Sequence, residues 1–138
     1  MRVNADKDGL LTVGGRDSRI TRSGYFLRKY KLDELPQLFN IIKGEMSIVG
    51  PRPEVRKYVE LYNEEQQKVL NVKPGLTDFA SLEYINENEL LAISDNPEQT
   101  YIETIMPAKL LLNKEYIGQI SLLTDLKIIF RTMKKIMK

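Results

Sequence analysis

Residues 33–54 read Asp33-Glu34-Leu35-Pro36-Gln37-Leu38-Phe39-Asn40-Ile41-Ile42-Lys43-Gly44-Glu45-Met46-Ser47-Ile48-Val49-Gly50-Pro51-Arg52-Pro53-Glu54. Leu35, Leu38, Phe39 and Ile42 fall at i, i+3, i+4 and i+7, which predicts a helix docking one apolar stripe on a core. Asp33 suits its N-cap and Glu34 its first turn, and Pro36 is tolerated there because first-turn N–H groups lack intrahelical partners. Gly44 ends the helix. Ser47-Ile48-Val49 then reads as a short strand, stopped by Gly50-Pro51-Arg52-Pro53. Helix, strand and stiff loop within 22 residues set the expected class: α/β, mainly helical with a small β-sheet, one compact domain over residues 1–138.

Upstream, a short helix is expected over Gly24 to Tyr30, and the first 16 residues, with Gly9, Gly14 and Gly15 among charges, read as an irregular arm. Downstream, Val55, Tyr58, Val59 and Tyr62 repeat the helical spacing from about Glu54 until Lys73-Pro74-Gly75 breaks the chain. Leu76 to Ile85 has no deciding period, and a short strand carrying Phe79 and Leu82 is one reading. Asn86–Ile93 and Glu98–Asn113 read as helices, the second kinked or restarted at Pro107. From Ser121, Leu122, Leu126, Ile129, Met133 and Ile136, flanked by Leu123, Phe130 and Met137, form one stripe, with Lys127, Arg131, Lys134, Lys135 and Lys138 largely outside it. Such a basic amphipathic helix either docks on its own domain or lies on an anionic membrane surface.

The chain of 138 residues contains no His and no Cys. That excludes a Ser-His-Asp triad, a Cys-His nucleophile, His- or thiolate-ligated zinc and a disulfide framework. Chemistry falls to Asp, Glu, Lys, Arg, Tyr, Ser or Thr, and any metal to oxygen ligands, which favours Mg²⁺ or a similar hard cation. No apolar run approaches a membrane span, and Met1-Arg2-Val3-Asn4 does not open a signal peptide, so the chain reads as cytoplasmic. Charge is segregated. Residues 1–60 carry 12 Lys/Arg against 8 Asp/Glu, residues 61–105 carry 2 against 9, and residues 106–138 carry 7 against 2. Two basic ends around an acidic middle suit an anionic partner, or are simply a solvated surface.

Two motifs carry candidate chemistry. Adjacent carboxylates at a helix start can serve as a cap; alternatively, Asp33 can attack phosphorus to give an acyl phosphate while Glu34 helps hold Mg²⁺ against phosphate oxygens. Arg28, Lys29 and Lys31 lie just upstream. Arg52 stands between Pro51 and Pro53, which fix two φ angles; the loop is either a plain strand-to-helix turn or a stiff mount for a phosphate-binding guanidinium.

The segment from Arg19 to Glu54, with its Leu32-Asp33-Glu34-Leu35-Pro36-Gln37, Lys43-Gly44-Glu45-Met46-Ser47 and Gly50-Pro51-Arg52-Pro53-Glu54 runs, resembles the bacterial sugar transferases that act as monotopic polyprenyl-phosphate phosphoglycosyl transferases. Lys73-Pro74-Gly75-Leu76-Thr77 is similar to the family's next block, and Tyr116 through Ser121-Leu122 and Asp125-Leu126 to its C-terminal block. The resemblance implies transfer of sugar-1-phosphate from a UDP-sugar to a polyprenyl phosphate such as undecaprenyl phosphate, initiating a surface glycan (exopolysaccharide, capsule or O-antigen). By the same resemblance Asp33 is the nucleophile that forms a phosphosugar ester, and Glu34 assists it and its Mg²⁺. Arg28 and Arg52 bind phosphate, with Pro51 and Pro53 in the same substrate-binding loop. It places the protein on the cytoplasmic face of the bacterial inner membrane, against an anionic lipid surface.

Family members begin with a hydrophobic membrane-dipping helix and a basic, aromatic segment that leads to a Met-Arg pair. Met1-Arg2 stands where that segment ends, so the chain is expected to be the catalytic region without its membrane anchor. Asn113 departs from the family near a position that is acidic in many members. The alternative function is a non-catalytic remnant that binds nucleotide or anionic membrane. A nucleic-acid binder is disfavoured, because no helix-turn-helix motif or aromatic platform occurs.

Overall fold

A computed structural model describes residues 11–13, 19–30 and 32–137. The arm read over residues 1–16, apart from Leu11–Val13, lies outside the described residues, as do Lys31, Lys138 and the side chain of Lys29. Helix α1 (Arg22–Lys29) starts at Thr21, whose hydroxyl accepts the Gly24 N–H at 3.0 Å. A single 3₁₀ turn, Leu32–Glu34, leads into α2 (Gln37–Ile42), which ends at Gly44 with φ 76°. Strand β1 (Ser47–Val49) follows, then α3 (Arg56–Val59), α4 (Glu64–Gln67) and a 3₁₀ turn over Lys68–Asn71. Strand β2 (Gly75–Thr77) runs into α5 (Phe79–Glu83), α6 (Glu87–Ala92) and α7 (Pro97–Thr100). A π-helical turn, Tyr101–Ile105, joins α7 to α8 (Met106–Gly118), and α9 (Leu122–Ile136) closes the order.

The expected class holds: mostly helix around one small sheet. β1 and β2 pair in parallel, Ser47 opposite Gly75 and Val49 opposite Thr77. Where they end, two loops cross in contact: Gly50 N–H donates to Thr77 O at 3.0 Å and Gly75 N–H to Pro51 O at 3.0 Å. A Cβ on Gly75 would stand 2.1 Å from Gly50 N, and one on Gly50 would stand 2.7 Å from Lys73 O. Only glycine permits this crossing, which fixes the Pro51-Arg52-Pro53 loop to the sheet.

The larger core gathers Tyr58, Tyr62, Val69, Leu91, Tyr101, Ile105, Met106 and Leu110. A smaller one, of Val49, Leu82, Tyr116 and Ile128, ties the sheet to α5, α8 and α9. Tyr116 OH donates to Asp125 Oδ1 at 2.8 Å, locking α8 to the first turn of α9.

Several expectations are corrected. Asp33 does not cap α2. It sits in the preceding 3₁₀ turn, and the α2 N-cap position is Pro36, with no side-chain capping bond. Leu35, Leu38, Phe39 and Ile42 do not dock on a core; all four are exposed, Ile42 at 82%. The long helix expected from Glu54 breaks after Val59, because Asn63 starts a new one through a reciprocal capping box with Gln66. Leu76–Ile85 divides into strand and helix at Asp78, whose carboxylate accepts the Ser81 N–H at 2.6 Å as the α5 cap. The irregularity assigned to Pro107 lies just before it, in the π-helical turn. On α9 the fully buried residue is Ile128, outside the expected stripe; of the stripe, Ile129 is half-buried against the smaller core, Met133 and Ile136 are exposed along a cavity with α2 and the sheet, and Leu122 and Leu126, with the flanking Phe130, are exposed.

Candidate active site

Asp33 and Glu34 are presented by the 3₁₀ turn, too short to bury either, and their side chains face two arginines from different elements. Arg28, at the end of α1, places Nε 3.8 Å from Asp33 Oδ2. Arg52, on the loop after β1, places a guanidinium nitrogen 3.0 Å from Glu34 Oε1. Arg28 also reaches the Thr12 hydroxyl at 3.4 Å. All four residues line one polar cavity of about 400 Å³, with Ser81, Tyr84, Glu87, Asn88 and Lys109 on its other walls. Each ion pair is partly solvated, so it adds little to stability, but together they hold two guanidinium groups beside two carboxylates. Arg28, Asp33 and Glu34 thus meet Arg52, which lies 18 residues beyond Glu34, at one place. Pro51 and Pro53 do not line this cavity. Pro51 is buried and its carbonyl accepts Gly75 N–H, so the prolines frame Arg52 rather than face the cavity.

The Arg52 mount has a second support. Its backbone N–H donates to Asp78 Oδ2 at 3.3 Å, while the other oxygen of this fully buried carboxylate caps α5. Asp78 therefore joins the arginine loop, β2 and α5 in one hydrogen-bonded unit. Sequence reasoning missed it; the signal was an acidic residue directly after a glycine-proline break and a short strand.

Lys109, from α8, was also missed. Its Nζ lies 3.0 Å from Glu87 Oε2 and 3.2 Å from Glu54 Oε1, with the ring of Tyr101 beneath it at 5.3 Å. Tyr101 OH donates to Glu54 as well. Burial lowers the Lys109 pKa, but the charges of Glu54 and Glu87 outweigh it and the net shift is upward. Burial, reinforced by the Glu54 carboxylate, pushes the Tyr101 hydroxyl far up. Glu54 is two residues beyond Arg52, so this cluster anchors the far end of the arginine loop. No periodicity pointed to it, because its members come from four separate segments.

Asn113 is buried on α8, its Oδ1 without a hydrogen-bond partner, and does not line the polar cavity. Among the described residues no group of three or more Asp/Glu side chains is placed to hold a metal. The two hard-oxygen donors of Asp33 and Glu34 fit a cation of the Mg²⁺ type, which commonly uses one or two carboxylates and completes its shell with substrate phosphates and water.

The family model described as bacterial sugar transferase matches residues 1–138. The chain belongs to the bacterial sugar transferase family. It is 36% identical over 135 residues to the galactosyl transferase CpsE of Streptococcus agalactiae, covering 98% of this chain and 27% of that protein. To the exopolysaccharide production protein ExoY of Sinorhizobium fredii it is 42% identical over 117 residues, 85% of this chain and 45% of that one. To the undecaprenyl-phosphate glucose phosphotransferase of Komagataeibacter xylinus it is 35% identical over 137 residues, 95% of this chain and 24% of that one. The chain thus spans between 24% and 45% of the length of these relatives.

Proposed function

We propose that this chain is the catalytic region of a phosphoglycosyl transferase that moves a sugar-1-phosphate from a UDP-sugar to a polyprenyl phosphate. The observation that carries the reading is the meeting of Asp33 and Glu34 with Arg28 and Arg52 in one polar cavity. The relative named as an undecaprenyl-phosphate glucose phosphotransferase supports the choice of lipid carrier.

In the proposed first step an Asp33 carboxylate oxygen attacks the phosphorus that bears the sugar. The P–O bond to the uridylyl half breaks, UMP leaves with that electron pair, and an aspartyl phosphosugar ester remains. In the second step an oxygen of the polyprenyl phosphate attacks the same phosphorus, the P–O bond to Asp33 breaks, and the carboxylate is restored. Arg28 and Arg52 hold the diphosphate oxygens and stabilise charge that builds on them. Bound Mg²⁺, with Asp33 and Glu34 as protein ligands, would neutralise that diphosphate. Glu34, held by Arg52, keeps the guanidinium beside the reacting phosphate.

The outward apolar residues of α2 and α9 and the basic residues of α9 suit an anionic membrane surface on the cytoplasmic side, where the lipid phosphate would be met. No helix among the described residues is long and apolar enough to cross a membrane. The test is UMP release from a panel of UDP-sugars with Mg²⁺, for the parent and Asp33→Asn. Release by the parent, abolished in the variant, is the expected result. Equal release by both proteins, or none from any sugar, overturns the assignment; nucleotide binding without release would favour the non-catalytic remnant.

A further inference from the structure

The polar cavity of about 400 Å³ has walls of two kinds. One is formed by Arg28, Asp33, Glu34 and Arg52, which are tied in two ion pairs. The other is formed by Tyr84, Glu87 and Asn88, from the joint between α5 and α6, and there the side chains keep unused hydrogen-bonding capacity. Among the described residues the Tyr84 hydroxyl and the Asn88 amide make no hydrogen bond, and Glu87 uses only Oε2, on Lys109 at 3.0 Å. We propose that this second wall receives the sugar of the UDP-sugar donor, with Glu87 as the residue that selects which sugars are accepted.

The proposal rests on the transferase reading above and deepens it by naming the sugar class, a neutral hexose rather than a uronic acid. Charge separates this wall from the phosphate end. Of the nine acidic residues over 61–105, Glu87 alone lines the cavity, and the cation beside it, Lys109, is already shared between Glu87 at 3.0 Å and Glu54 at 3.2 Å. A phosphate placed here would face a carboxylate whose cation is spent, whereas a sugar hydroxyl donates to Glu87 Oε1 in a charge-assisted bond. Connectivity then selects the hexose over the nucleoside. The phosphorus that Asp33 attacks bears the hexose directly, and the nucleoside is one phosphate further off, so a wall of the same cavity meets the hexose first. The Asn88 amide, donor and acceptor both, and the Tyr84 hydroxyl can pair with further hydroxyls or an N-acetyl group. Lys109 is a positioning residue. Its side chain is 16% exposed and that of Glu87 23%, so the carboxylate is held from α8 in one place. An epimer whose hydroxyl points elsewhere leaves Glu87 unpaired and is rejected, and a uronic acid brings a second carboxylate against it and is repelled.

Isothermal titration with Mg²⁺ tests this, comparing UDP, UDP-glucose, UDP-galactose, their N-acetyl counterparts and UDP-glucuronic acid on the parent, Glu87→Gln and Asn88→Ala. Glu87→Gln keeps an oxygen for Lys109, which stays paired with Glu54, and Asn88 is exposed, so folding effects are small. The quantity read is the affinity for each UDP-sugar relative to UDP, which cancels contacts to the nucleoside and diphosphate. For the sugar that the parent prefers, this ratio is expected to fall about 10-fold in Glu87→Gln and about 3-fold in Asn88→Ala, with UDP affinity unchanged. UDP-glucuronic acid should gain relative affinity in Glu87→Gln. Ratios unchanged in both variants, or UDP weakened in step with the UDP-sugars because the nucleoside or diphosphate occupies this wall, would each overturn the proposal. UMP release, followed on the same proteins, separates the two readings. Normal release with unchanged ratios removes the sugar wall alone, whereas the expected ratios without any release keep the wall and remove the transfer reading.

Discussion

Gly75 packs its α-carbon against the backbone of Gly50 so closely that any side chain must push the two loops apart. The cost is not confined to stability, because Arg52 hangs from the same crossing through the Pro51 carbonyl and the Asp78 carboxylate. Gly75→Ala is therefore expected to lose about 3 kcal/mol or more in denaturant unfolding, at the upper end for single substitutions. A midpoint equal to that of the parent would show the crossing to be compliant. Arg52→Lys keeps the charge and removes the planar fork; a drop of about 10- to 100-fold in kcat/KM for UDP-sugar is expected, with the unfolding midpoint little changed. Tyr62 gives a pH signature. Burial, helped by the Glu54 carboxylate, pushes its hydroxyl up to about 12, so the folded state keeps a proton that the unfolded chain releases near 10. Its contribution is fully present below pH ~10 and is lost as pH rises toward ~12, because the unfolded state then binds fewer protons. The raised Lys109 acts in the same direction. The melting temperature should fall more steeply over this window in the parent than in Tyr62→Phe; parallel curves would contradict the assignment.

At the scale of the element, α9 shows what a sequence period does and does not decide. Its helical character, its start at Ser121 and the segregation of Lys127, Arg131, Lys134 and Lys135 were legible. Which face meets the protein was not, because an amphipathic stripe looks the same whether it covers a core or a lipid surface. One turn of evidence lies in Ile128, fully buried against Val49, Leu82 and Tyr116, while Phe130 is 73% exposed. Ile128→Ala should cost about 2–5 kcal/mol, and Phe130→Ala should stay within about 0.5 kcal/mol; equal effects would contradict the orientation. The same ambiguity explains α2, where Asp33 to Ile42 read as one docked helix. Pro36 at its N-cap position separates a 3₁₀ turn from a short helix, and that break frees the carboxylates to face Arg28 and Arg52 instead of being spent as a cap. Strand β1 and the Gly44 terminus followed from local chemistry and were legible. The Asp78 and Lys109 contacts join residues far apart in the chain, and no local pattern encodes them.

Across the molecule, apolar residues on α2 and α9 are exposed, and basic residues of α9 stand beside them. This combination predicts binding to vesicles containing anionic lipid, weakened by salt through the basic residues and by Phe130→Glu through the apolar ones. Flotation with neutral and anionic vesicles checks it; indifference to both lipid charge and the substitution would contradict it. In the proposed reading the polar cavity takes the water-soluble donor and the outward face of α9 meets the lipid surface. Everything in it turns on Asp33 taking up the phosphosugar. Intact-protein mass spectrometry after mixing with UDP-sugar and Mg²⁺, without acceptor, tests that most directly. The account predicts a mass increase of one phosphosugar, mapped to Asp33, absent in Asp33→Asn and discharged by polyprenyl phosphate. An unmodified protein that nonetheless releases UMP, or an adduct on another residue, would contradict it.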